Sequence, residues 1–141
     1  MADIELALLI DRLMRKIHFS LQPRASKIDR ENIGPGGGII LLTLADMQFC
    51  GMQELTDRVA RDKSQMSRTI RSLEAKGLVQ RQASKDDARV NLVSVTTRGN
   101  KVVEELRQAL AETINDVLQP MTTQEKQQLK ILMKRAVQHI D

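Results

Sequence analysis

Apolar residues recur with helical spacing along most of the chain and give way to strand-like alternation only between Leu78 and Thr96. From Ser64 to Gly77, the residues Met66, Ile70 and Leu73 fall at i, i+4 and i+7, which predicts an amphipathic helix with one narrow buried stripe. Asp62 can accept from the free amides of its first turn, with Gln65 three residues on at capping-box spacing, and Gly77 can take the left-handed conformation that ends a helix. The preceding Gln53–Ala60 segment sets Leu55 and Val59 one turn apart and breaks at Arg61-Asp62-Lys63. After Gly77, Leu78–Ala83 and Val90–Thr96 are short and extended in character and bracket the polar run Ser84-Lys85-Asp86-Asp87-Ala88-Arg89, which predicts a β-hairpin with a charged tip. Two short helices, a tight break and a hairpin in succession predict a winged helix-turn-helix, a shape that docks into duplex DNA.

The flanks read as helices. From about Asp3 to Lys27, Ile4, Ala7, Leu8, Ile10, Leu13, Met14, Ile17 and Leu21 form an apolar stripe too broad for a helix packed on one side. Toward the other end, Val102, Val103, Leu106, Leu110, Ile114, Val117 and Leu118 continue to Pro120. Thr122-Thr123-Gln124-Glu125 then supplies a capping box for a final helix carrying Leu129, Leu132, Met133, Ala136, Val137 and Ile140. Long terminal helices in so short a chain predict dimerisation. The expected organisation is an N-terminal dimerisation helix over 1–32, a winged domain over 33–97 and C-terminal dimerisation helices over 98–141. The fold class is mainly α with a small β-hairpin wing. Gly34-Pro35-Gly36-Gly37-Gly38 lacks the Gly-Lys-Ser/Thr of a nucleotide loop and reads as a flexible link between the first two helices.

The chemistry lies opposite the buried stripe of the Ser64 helix. There Ser64, Arg68, Arg71 and Ala75 point outward, flanked by Gln65, Ser67 and Ser72. Arginine can fork to guanine, glutamine to adenine, and serine to bases or phosphates, so this face suits a major groove. On an isolated helix the same arginines would read as an ordinary solvated surface; the surrounding elements reverse that reading. The charge distribution agrees with them. The net charge is +4, yet nine Lys and Arg stand against four Asp and Glu between Arg58 and Arg89, so the cationic excess is confined to the winged segment. Localised positive charge is the footprint expected of a phosphate-binding surface.

Val59-Ala60-Arg61-Asp62-Lys63-Ser64, Leu73-Glu74-Ala75-Lys76-Gly77-Leu78-Val79, Asp87-Ala88-Arg89 and Val95-Thr96-Thr97-Arg98-Gly99 together resemble the corresponding blocks of the MarR family of bacterial transcription regulators. The resemblance implies an obligate homodimer that grips a pseudo-palindromic operator and represses a nearby gene until a small-molecule effector or an oxidant releases the DNA. By matching position it implies that the helix from Ser64 enters the major groove, that Arg89 reaches the minor groove, and that Asp87 holds Arg89 by an ion pair; Lys85, in the same polar run, is read as a further wing contact to DNA. Ala88 stands where many relatives carry another basic residue, which implies a looser grip at that point.

Other functions find less support. With no Trp or Tyr and only Phe19 and Phe49, the chain lacks the stacking platforms of a single-strand binder. No apolar run approaches a membrane span and the first residues are acidic, so a cytoplasmic protein is expected. His18 and His139 are too few and too dispersed to indicate a metal site, and no nucleophile and base pairing suggests an enzyme; no cofactor is expected. Cys50 is the sole cysteine and reads as a small buried hydrophobe rather than a redox sensor. The alternative is a winged-helix module that binds an acidic protein partner and no operator. It is disfavoured by serines and arginines where such modules carry apolar residues.

Overall fold

The computed structural model describes residues 1–59, 62–87 and 89–138. Expectations placed on Ala60, Arg61, Ala88, His139 and Ile140 lie outside the described residues. The element order is α1 (Ile4–Ile28), α2 (Gly34–Met47), β1 (Phe49–Gly51), α3 (Met52–Val59), α4 (Lys63–Ala75), β2 (Val79–Ala83), β3 (Asn91–Val95), α5 (Thr97–Val117) and α6 (Thr123–Gln138). The chain divides into two compact units, Gln22–Ala109 and Met1–Leu21 with Leu110–Asp141.

In the Gln22–Ala109 unit, four helices (α2, α3, α4 and the start of α5) and a small sheet enclose one core. Ile40, Leu41 and Leu44 of α2, Leu55 of α3, Met66, Ile70 and Leu73 of α4, and Leu78, Val79, Val93 and Val103 bury their side chains together. The sheet runs β1-β3-β2, both pairs antiparallel. Central β3 sets Val93 opposite Cys50 on one side and Arg81 on the other. Packing a hairpin on helices removes the marginal stability of an isolated two-stranded ribbon.

Two features depart from the sequence reading. Gly34–Gly38 is the first turn of α2 and not a linker. Glycine costs about 1 kcal/mol per residue in a helix relative to alanine, but here packing decides. Gly37 and Gly38 are buried, Pro35 sits in the first turn, and the Asp29 carboxylate accepts from Ile33 N and Gly34 N, both at 2.9 Å. The second is β1, which converts the predicted hairpin into a three-stranded sheet. With only three residues it carries too short an alternation to be recognised as a strand.

Thr96 joins the sheet to α5. Its hydroxyl donates to Gly77 O at 2.6 Å and accepts from Gly99 N at 3.0 Å, while its amide donates to Leu78 O at 3.0 Å. Helix α5 thus begins at Thr97, five residues before Val102, where its apolar repeat starts, with Thr96 as its cap.

In α1 and α6 no residue is buried. Ile4, Leu8, Met14 and Phe19 of the first, and Ile131, Leu132, Met133 and Val137 of the second, each leave about half or more of their surface exposed. At the start of α6 the capping box closes reciprocally: Glu125 Oε1 accepts from Thr122 N at 2.8 Å and Thr122 Oγ1 accepts from Glu125 N at 3.1 Å. These bonds from the Thr122 backbone and hydroxyl hold the Glu125 carboxyl below its ordinary value. A depressed carboxyl stabilises the fold above its unfolded pKa and loses that contribution as the pH falls through the folded one. The Thr122 amide resonance is therefore expected to titrate below the ordinary glutamate value of about 4.3, and a midpoint at or above it would contradict the cap.

Candidate nucleic-acid interface

Helix α4 is built to present one face. Asp62 lies in extended conformation, and its Oδ1 accepts from Gln65 N at 2.9 Å, satisfying a free amide of the first turn. At the far end Gly77 takes φ +74°, the left-handed region open to glycine at least cost, and Leu78 N donates to Leu73 O at 3.0 Å to close the helix. With Met66, Ile70 and Leu73 fully buried beneath it, the helix cannot roll. The helix spans Lys63 to Ala75, beginning one residue earlier than its sequence suggested and ending two residues before the glycine stop.

Lys63, Ser64, Ser67, Arg68 and Arg71 line a single open cleft on the outer side of α4. Gln65 is exposed but does not line it. The sequence reading places Lys63 in the break between helices, whereas the structure makes it the first residue of α4, at i, i+4, i+8 spacing with Ser67 and Arg71 on this face. The charges in the cleft differ from most arginines elsewhere. Arg15, Arg30, Arg81, Arg89, Arg98 and Arg107 each approach a carboxylate within 4 Å. Among the described residues no such partner engages Arg68 or Arg71. Two guanidinium groups about one turn apart are exposed and available to an external acceptor.

The wing tip is ordered by its own polar groups. Ser84 N donates to Val90 O at 2.8 Å, Val90 N to Asp87 O at 3.0 Å, and Asp86 N to Ser84 Oγ at 3.2 Å. Asp87 Oδ1 accepts from Arg89 N at 3.0 Å and from Arg89 Nε at 3.3 Å, so one carboxylate fixes both the backbone and the guanidinium. The Arg89 side chain is 91% exposed, and Lys85 is exposed on the same tip. Val90 is 42% exposed, which gives the tip one apolar surface. At the base of the wing Arg81 Nε lies 3.4 Å from Glu74 Oε1, an ion pair too poorly aligned to count as a hydrogen bond.

Residues 39–90, from α2 to the wing tip, match the model of the MarR family. The chain carries a MarR-family domain. It is similar to the HTH-type transcriptional regulator BilQ of Clostridium symbiosum, with 24% identity over 78% of this chain and 76% of that protein. A solved cysteine-to-serine mutant of MarR from E. coli superposes with TM-score 0.80 at 23% identity, over 97% of this chain and 99% of the other. The same mutant complexed with operator DNA gives TM-score 0.72 at 24% identity, over 94% of each chain. These likenesses extend beyond the matched segment and fix the fold of a winged helix flanked by long helices.

Cys50, within the MarR-family segment, lies in β1 and is 2% exposed. Burial pushes its thiol above the ordinary value, the Glu54 carboxylate adds to that, and Arg58 opposes it. Since the thiolate is the reactive form, slow modification by a thiol reagent is expected in the native chain, with full reactivity after denaturation. Equal rates in the two states would contradict this.

Among the described residues no helix is long and apolar enough to cross a membrane, and no group of three or more His, Cys, Asp or Glu could hold a metal ion.

Proposed function

We propose that this protein is a sequence-specific regulator of transcription that binds duplex DNA as a homodimer and represses from a pseudo-palindromic operator until a small-molecule effector lowers its affinity. The observation that carries the reading is the pair of unengaged guanidinium groups of Arg68 and Arg71 in the α4 cleft, over a helix locked by its buried stripe. Arg68 and Arg71 fork to bases, Gln65, Ser64 and Ser67 bond to base edges or phosphates, and Lys63 adds a phosphate contact. Arg89, steadied by Asp87, enters the minor groove, with Lys85 on the adjoining backbone. The DNA complex of the E. coli MarR mutant supports this docking by analogy of fold.

Homodimerisation is supported by the apolar side chains that α1 and α6 leave uncovered in the single chain. Two copies of α4 brought together in this way would read half-sites about one helical turn apart. The test is selection of duplexes from a random pool by the purified chain. Recovery of an inverted repeat with half-sites roughly 10 base pairs apart is expected; enrichment of no sequence overturns the proposal.

A further inference from the structure

We propose that Asp29 to Asn32, four of the five residues joining α1 to α2, form a clasp that fixes how α4 is presented to DNA, with Glu31 and Lys76 as its positioning residues. The proposal rests on the DNA-reading role given to α4 above. All of these residues lie within the Gln22–Ala109 unit.

Each member of this short segment holds a different place. Asp29 caps α2 through Ile33 N and Gly34 N. Arg30 Nη1 lies 3.8 Å from Glu105 Oε1 in the third turn of α5. Glu31 Oε1 accepts from Arg98 Nη2 at 2.6 Å in the first turn of α5. Asn32 O accepts from Lys76 Nζ at 2.9 Å, and Lys76 is the residue that caps the C-terminal end of α4. The Arg98 guanidinium also lies beside the turn that ends α4: a Cβ on Gly77 would stand 4.0 Å from its Nη1. The end of the DNA-reading helix, the start of α5 and the start of α2 are therefore tied to one point. Asn32, whose carbonyl accepts from Lys76, takes φ +56°, a conformation that asparagine tolerates better than most residues.

Stability does not account for the arrangement. The Arg98 side chain is 61% exposed and Arg30 79% exposed, and ion pairs so open to solvent contribute little to folding. What they can do is select one orientation among packed alternatives. In the clasp Lys76 and Arg98 act through the loop, and neither contacts the DNA backbone itself. Direct contact with phosphate would also use an exposed cation, and salt dependence separates the two, because each phosphate contact removed lowers the slope of log Kd against log salt by about one.

The experiment measures binding of the full chain to the duplex it selects, across a salt series, for wild type, Glu31→Gln, Lys76→Ala, Arg98→Ala, the single reversals Glu31→Arg and Arg98→Glu, and the exchange that combines these two. Glu31→Gln and Lys76→Ala are expected to weaken binding roughly 3- to 10-fold, with the wild-type salt slope and an almost unchanged thermal midpoint. The exchange should recover most of the loss caused by either of its single substitutions. Wild-type affinity in Glu31→Gln, or no recovery in the exchange, overturns the clasp alone. A reduced salt slope in Lys76→Ala or Arg98→Ala overturns it in favour of phosphate contact. A wild-type chain that selects no duplex overturns the clasp and the proposed function together.

Discussion

Alanine at position 99 is expected to destabilise the fold by about 1–3 kcal/mol, the usual cost of forcing extra volume into a packed site. A methyl group there would overlap the Leu78 carbonyl oxygen and stand 2.6 Å from Val95 Cγ1. Neither neighbour can retreat easily. The Leu78 carbonyl accepts from Thr96 N at 3.0 Å, and the Leu78 side chain is fully buried. Val95 belongs to β3 and pairs with Val79. Relief therefore requires the first turn of α5 to move away from the sheet, which lengthens the bonds that Thr96 makes to Gly77 and Leu78. Gly51→Ala is the control. A Cβ at that position meets only Glu54 Oε1, at 4.0 Å. Its effect should be near neutral or stabilising by up to about 1 kcal/mol, through the smaller entropy of the unfolded chain. Urea unfolding of the two variants beside wild type decides the matter, and equal midpoints would show that Gly99 is not the point of close approach.

What could be read from sequence, and what could not, follows from the range of the interactions. Met66, Ile70 and Leu73 were legible because burial of one helix face imposes a period on adjacent residues, and all three lie in the core. The cap at Asp62, the stop at Gly77 and the capping box at Thr122 were legible because each is a bond between residues three to five apart. Gly34–Gly38 was misread because local propensity opposes a helix there, and the packing that overrides it comes from distant elements. The clasp left no trace at all. Its Glu31–Arg98 and Asn32–Lys76 ties span 67 and 44 residues, and nothing in the neighbourhood of either partner announces the other. Lys63 belongs to a third kind of omission, since its helical face was readable but its assignment to the break hid it.

The largest functional effect is expected from Arg68 and Arg71. If each forks to a guanine, replacement by alanine should cost about 1–3 kcal/mol at the selected operator, a loss of roughly 5- to 150-fold in affinity. The loss should be local in sequence: preference at the contacted base pair relaxes while the rest of the site is still read. Lysine should not restore it, because a point charge cannot reproduce the two parallel bonds of a guanidinium fork. Since Met66 and Ile70 hold the helix from below and the removed side chains are exposed, stability should change little. Lys85→Ala on the wing provides the contrast, with binding weakened evenly across operator variants and a shallower salt slope. Fluorescence anisotropy over a panel of single-base operator variants reads both effects at once. A discrimination profile of Arg68→Ala and Arg71→Ala that overlays the wild type would remove α4 as the reading element, because an exposed arginine that specifies no base can only have been holding phosphate.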